Sequence, residues 1–294
     1  MNNTTSTPLQ PTLEDILLQH DRRGISALRP YLPADNTRQT AAFALQHCAR
    51  VIIVTGFYVN GTAETDGPPG ALALANGFLQ LDSQVTLVTD RYCMPFLQSA
   101  LPACKLFEFP ITGAEESRRI AQDILAETRP TLLISVERCG LTREGFYRNM
   151  HSVDISPYTA RLDELFIGQV NTIGIGDGGN EIGMGLLYSR LIALPQLVAN
   201  PTTTATTHLL ISTVSNWAAY GLLGAMSVVS GKNLLPSVAQ QSRILQDIVA
   251  RGASNGVNGR QENKVDGFDE AVNDAILEDI HRLVDSVLKI EKRP

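Results

Sequence analysis

The sequence has only four cysteines in 294 residues, Cys48, Cys93, Cys104 and Cys139, and no two of them stand as a C-x-x-C pair. Spacing this wide supports neither a zinc ligand set nor a disulfide framework, and reads as four reduced thiols. Long apolar runs are also missing. A bilayer span needs roughly 18 or more consecutive apolar residues, whereas the best stretch, Trp217 to Val229, is interrupted by glycine, serine and tyrosine and reads as a buried helix. Positive charge is in deficit: 24 Lys and Arg face 30 Asp and Glu, for a net charge of -6 and a pI near 5.4. That balance excludes a protein whose main work is on phosphate backbones. Neither nucleic acid nor membrane is therefore an expected partner. The first residues, Met1 to Pro11, lack both the apolar core of a signal peptide and the arginines of a transit peptide, which makes the cytoplasm the expected location.

What is present suits a folded α/β chain. Hydrophobic residues make up 44% and charged residues 18%, enough to build one large core. The expected organisation is a flexible tail over residues 1–10 and a single α/β domain over 11–294. Thr12 to Gln19 reads as a helix with Thr12 as N-cap, and Asn36 to Ala49 as a second. Apolar runs then recur at Val51–Val54, Val85–Thr89, Lys105–Phe109, Thr131–Val136, Asn171–Ile175 and His208–Ser212. Such runs, without polar alternation, are buried strands. Helix-length segments separate them: Gly70–Leu81, Tyr92–Leu101, Ala114–Thr128, Glu181–Leu191 and Asn216–Ser230. The expected fold is α/β, a doubly wound, mostly parallel sheet with helices on both faces, three-layered and Rossmann-like. Extra helices follow at both termini, including Val238–Arg251 and Phe268–Lys292 after a Gly/Asn-rich connection. Ligands of such sheets lie beyond the carboxyl ends of the strands, so the loops there are where chemistry is sought.

The strongest local signal is the stretch from Gly174 to Gly185, which embeds Asp177, Asn180 and Glu181 among glycines. Each glycine in a helix start costs about 1 kcal/mol relative to alanine, so a function must offset the loss. Read as a strand-to-helix turn, it would present backbone N–H groups, including those of Gly178 and Gly179, to a bound group near a helix N-terminus. Gly174, Gly176 and Gly179 also fit the dinucleotide G-x-G-x-x-G pattern. However, no Asp or Glu lies between Glu181 and Asp247 to hold a ribose, and Asp177 would sit beside the pyrophosphate. No nucleotide cofactor is expected, and an NAD(P)-dependent oxidoreductase using this turn is the lesser alternative. Gly231-Lys232 fails the phosphate-loop pattern, because Met226 stands where glycine is needed.

A second cluster follows the first core strand: Thr55-Gly56-Phe57, then Glu64-Thr65-Asp66-Gly67-Pro68-Pro69-Gly70. Proline and glycine fix that loop, and the helix beginning at Gly70 presents its N-terminus to whatever the loop holds. Glu137-Arg138 follows the fourth strand, where an arginine fork suits a substrate carboxylate. Ser215-Asn216-Trp217 opens the helix after the last strand. No nucleophilic triad is legible, and the five histidines read as structural or surface residues.

Together these segments, with Val88-Thr89-Asp90, Tyr147-Arg148-Asn149-Met150 and Val265-Asp266-Gly267, resemble the D-glutamate cyclase family over most of residues 50 to 270. The resemblance implies conversion of D-glutamate to 5-oxo-D-proline with loss of water. It also implies an additional N-terminal domain and a mitochondrial location for animal members, a domain not seen ahead of these motifs. Cys139 stands where the family pattern leads one to expect proline, a change expected to loosen the Arg138 loop. The implied chemistry needs a base, an acid or cation, and a way to fold the substrate. Asp177 and Glu181 are the expected base and acid, or ligands of a divalent cation such as Mn²⁺ or Mg²⁺. Arg138 would bind a carboxylate, and glycine N–H groups an oxyanion. Asp66, Asn180 and Asn216 are further candidates, with Glu64, Thr55 and Ser215 at the substrate. D-glutamate is the expected small-molecule partner, and a homo-oligomer is compatible with the sequence. A non-catalytic amino-acid or nucleotide sensor remains the alternative of a different class.

Overall fold

Consecutive β-branched and aliphatic residues, apolar on both sides of the strand, can only be satisfied in the middle of a sheet covered on both faces. Val51-Ile52-Ile53-Val54 takes that place. The computed structural model of the chain describes residues 11–98, 101 and 103–291. Six parallel strands, β1 (Arg50–Thr55), β2 (Gln84–Thr89), β3 (Lys105–Glu108), β4 (Leu132–Val136), β5 (Thr172–Gly176) and β6 (His208–Ile211), form one sheet in the order β3-β2-β1-β4-β5-β6. In register, Val51 pairs with Val85 on one side and Leu132 on the other. The strand order reverses between β1 and β4, which is where a doubly wound sheet opens a crevice at its carboxyl end.

The helices are α1 (Leu13–Leu17), α2 (Asn36–His47), α3 (Pro68–Leu79), α4 (Ala114–Thr128), α5 (Ser215–Ser230), α6 (Val238–Ala250) and α7 (Glu270–Glu291). Thr12 caps α1 in a reciprocal box with Asp15. Helix α5 is buried from Ser215 through Ser227, because it lies between the sheet and α2, α3 and α7. The opposite face is thinner: α4 and the turn Leu162–Leu165 cover Ile52, Val54, Val88 and Leu133. A doubly wound α/β fold is thus present, with terminal helices added mainly to one face.

Three expected helices differ. Glu181–Leu191 is not a continuous helix: Gly185–Leu187 makes a 3₁₀ turn and Tyr188–Leu191 one short α turn. The backbone of the preceding residues bonds elsewhere, Ile182 N–H to Arg138 O (2.8 Å) and Gly183 N–H to Thr204 O (2.8 Å). Tyr92–Leu101 is helical only over Met94–Leu97, and residues 99 and 100 lie outside the described residues. The last helix begins at Glu270 rather than Phe268, because Lys264–Val265 and Phe268–Asp269 pair as a hairpin. Its turn, Asp266-Gly267, has φ of 49° and 76°, the left-handed pair that an Asp-Gly hairpin adopts. The expected flexible tail, residues 1–10, also lies outside the described residues.

Candidate active site

Each strand end around the crevice delivers an acid. Glu137 follows β4 directly, Asp177 follows β5, and Glu181 is four residues further on. Glu64 and Asp66 arrive after β1 by way of a small hairpin, Tyr58–Val59 with Thr62–Ala63. Asp266 comes from the far hairpin turn. The carboxylate oxygens of Glu137, Asp177 and Glu181 lie within 4.8 Å of one another, and so do those of Asp66, Asp177 and Asp266. Asp177 belongs to both groups. All of these except Asp266 are buried.

The cation among them is Arg23, which no motif in the sequence points to. Arg23 Nη2 is ion-paired to Asp177 and lies 2.9 Å from Asp266 Oδ2. Its turn is built by Asp21, whose carboxylate accepts the N–H groups of Arg23, Gly24, Ile25 and Ser26. Asp177 Oδ2 is buried against the guanidinium, yet no aligned hydrogen bond reaches it. Burial works against the charge on Arg23, but Asp177 and Asp266 hold it firmly protonated.

Burial also governs the acids, because desolvation disfavours the charged form. It pushes the carboxyls of Glu64, Glu137 and Asp177 well above the ordinary range, and that of Asp66 to about 7 despite N–H donors from Asn216 and Ser215. Neighbouring carboxylates add to the effect. Glu181 is raised by burial too, against the N–H groups of Gly179 and Gly178.

These acids floor or flank a cleft of about 520 Å³. Glu64, Asp177, Asn180 and Glu181 line it, as do Glu137, Asp266 and Arg23. Other expected residues stand one layer behind. Asp66 accepts N–H bonds from Ser215 and Asn216 (both 2.8 Å) and so caps α5, while Asn216 Oδ1 accepts from Gly67 (3.0 Å) and Gly70 (2.8 Å) and so caps α3. The N-terminus of α3 is therefore turned to Asn216 rather than to a ligand. Ser215 Oγ donates to Glu137 Oε2 at 2.6 Å. Thr55 Oγ1 is enclosed behind Gly67.

Three expectations are corrected. Arg138 is buried in an ion pair with Asp90 (2.7 Å) and donates to Gly56 O and Ala160 O, so its fork is spent inside the protein. The N–H groups of Gly178 and Gly179 point at the Glu181 carboxylate, at 2.9 and 2.7 Å, and are not free for an oxyanion. The glycines serve a different end. A Cβ on Gly174 would lie 2.5 Å from Gly183 Cα, so their absence lets the loop fold back onto its own strand. Without a helix at Glu181, the dinucleotide reading loses the N-terminus that would hold a pyrophosphate. Cys139 does not loosen its loop either. The flanking bonds, Gly140 N–H to Asn180 O and Ile182 N–H to Arg138 O, tie the loop to the glycine-rich segment, and the buried Cys139 thiol donates to Arg148 O at 3.4 Å.

Missed residues had signals of unequal strength. Asp266-Gly267 between Val265 and Phe268 is a hairpin signature that was open to reading. Glu137 is conspicuous in the sequence only as half of Glu137-Arg138, and its φ of 44°, a left-handed value rare for a side-chain-bearing residue, is visible only in three dimensions. Nothing local marks Arg23.

The family described as D-glutamate cyclase-like, C-terminal, matches residues 13–281. The chain belongs to that family. A curated relative, the mitochondrial D-glutamate cyclase of Homo sapiens, is 27% identical over 292 aligned positions, covering 83% of this chain and 47% of that protein. This chain thus spans about half the length of the relative. This D-glutamate cyclase-like chain brings its glycine-rich segment and its acids around one cleft. Among the described residues, no helix is long and apolar enough to cross a membrane.

Proposed function

We propose that this chain is a lyase that cyclises D-glutamate to 5-oxo-D-proline. Its family membership supports the reading, and the observation that carries it is the set of buried carboxylates gathered around Asp177 and Arg23 in a cleft at the sheet's carboxyl end. A substrate ammonium is attracted there, and an acid of raised pKa is a competent base near neutral pH.

Glu64 lines the cleft and, among the described residues, its carboxylate accepts no hydrogen bond from the protein. It takes a proton from the substrate ammonium. The freed amine attacks the γ-carboxyl carbon, the new C–N bond forms, and the C–O bond breaks. The two protons lost by nitrogen leave with that oxygen as water, Glu64 returning the one it took. Arg23 uses one nitrogen on Asp177 and Asp266 and has other donors for a substrate carboxylate.

A divalent cation fits the donor set. Glu137, Asp177 and Glu181 offer hard oxygen ligands in close convergence, and Asp177 Oδ2 lacks an aligned donor, which suits Mg²⁺ or Mn²⁺. When bound, such an ion would supply Lewis-acid polarisation of the γ-carboxyl group. Asp177 is then a ligand rather than the base, and Asn180 closes the cleft wall beside it.

Incubation with D- and L-glutamate, with and without Mn²⁺ or Mg²⁺, followed by chiral detection of 5-oxoproline, tests the reading. Product from the D-enantiomer is expected. No product from either enantiomer overturns it, and binding without turnover favours a sensor.

A further inference from the structure

The cleft is larger and less polar at its mouth than free glutamate requires. Pockets of roughly 300–1,000 Å³ enclose drug-sized ligands, and this one measures about 520 Å³. Exposed large apolar side chains gather at its mouth: Met150, Val153, Tyr158 and Val257 are 42%, 54%, 39% and 61% exposed, and all four line the cleft. Tyr58 and Tyr158 stack there with ring centroids 4.5 Å apart and planes 11° from parallel, with Tyr92 edge-on to Tyr58. An outer compartment of this kind offers aromatic faces and apolar walls around a charged floor.

Charge points the same way. Free glutamate brings two carboxylates, but the cleft's cations among the described residues are Arg23, held by Asp177 and Asp266, and Arg22, laid over the Phe268 ring at 4.2 Å. The floor gathers the carboxyl groups of Glu64, Glu137, Asp177, Glu181 and Asp266, a poor setting for two further carboxylates. A substrate whose α-carboxyl is masked as an amide loses one repulsive charge and gains an extension that reaches the mouth.

We propose that the preferred substrates are D-glutamyl compounds extended through the α-carboxyl by an apolar or aromatic amide, with the amine and γ-carboxyl on the acidic floor and the extension against Tyr58, Tyr158 and Val257. The inference rests on the cyclase reading for its chemistry. The balance is unchanged: the amine displaces the γ-carboxyl oxygen as water, and the amide extension stays attached to the 5-oxoprolyl product.

The test compares free D-glutamate, α-linked D-glutamyl-alanine and α-linked D-glutamyl-phenylalanine with the full chain and Mn²⁺, reading loss of water by mass spectrometry. The phenylalanine compound is expected to show kcat/KM about tenfold above free D-glutamate, the gain of one well-packed ring, with alanine between. In Tyr158→Ala the ratio should narrow to within about twofold, and in Tyr158→Phe it should persist. Equal or better turnover of free D-glutamate overturns the inference and leaves the mouth as a cover over the small amino acid. If no compound turns over, the cyclase reading fails separately. Calorimetric binding then decides the extension: about tenfold tighter D-glutamyl-phenylalanine than D-glutamate supports it, and equal affinities overturn it.

Discussion

Arg138 and Arg23 have opposite roles, and only the first is conspicuous in the sequence. Arg138 stands at a strand end beside Glu137, where a ligand is expected, yet it is enclosed with Asp90. Removing one partner of a buried pair leaves the other charge uncompensated, so Arg138→Met should lower unfolding stability by about 3–5 kcal/mol in urea titrations. A normal stability with a raised KM would instead restore it to substrate binding. Glu64 makes the contrasting case. Glu64→Gln should keep the fold and lower kcat by roughly 10²-fold or more, the usual scale for loss of a general base; unchanged turnover would remove Glu64 from the proton path. The acids were legible in the sequence because they follow apolar runs at positions where a parallel sheet exposes its loops. Arg23 was not, since it precedes the whole sheet and meets Asp266 across 243 positions. Arg138 misleads because a strand-end guanidinium looks the same in sequence whether its partner is a ligand or Asp90.

The six strands and helices α2, α4 and α5 were readable because their burial is periodic or total and their hydrogen bonds are local or repetitive. The glycine-rich segment was not, because its backbone partners, Arg138 and Thr204, come from distant loops. Its glycines buy proximity rather than a ligand cradle, and that distinction can be measured. Gly174→Ala puts a Cβ 2.5 Å from Gly183 Cα, backbone against backbone, and should cost about 1–3 kcal/mol or more. Gly113→Ser is the control. Gly113 precedes α4 at φ −67° with no side chain to block a new one, and serine is a good N-cap, so stability should hold or rise by a few tenths of a kcal/mol. Equal losses at the two sites would refute the packing role of Gly174. The crossed caps, Asp66 on α5 and Asn216 on α3, explain why these two residues share one neighbourhood without lining the cleft.

At the scale of the molecule, the site is an electrostatic load on the fold. Asp66 binds its proton more tightly folded than unfolded, since its pKa rises from an ordinary value of 3.8 to about 7. The stability that Asp66 contributes is therefore lost as pH rises through that window, and the other raised acids act in the same direction. The melting temperature of cation-free protein should decline from about pH 4 to about pH 7, and millimolar Mn²⁺ should reverse the decline near pH 7 by binding the ionised acids of the folded state. A flat profile that Mn²⁺ leaves unmoved would show that the acids are balanced without a cation. The Arg23 contact has one more consequence. Its partners Asp177 and Asp266 belong to the middle and last parts of the chain, so during synthesis the guanidinium waits for almost the entire sequence. The cleft wall is complete only once the chain reaches Phe268, and no shortened product that stops before Asp266 carries it.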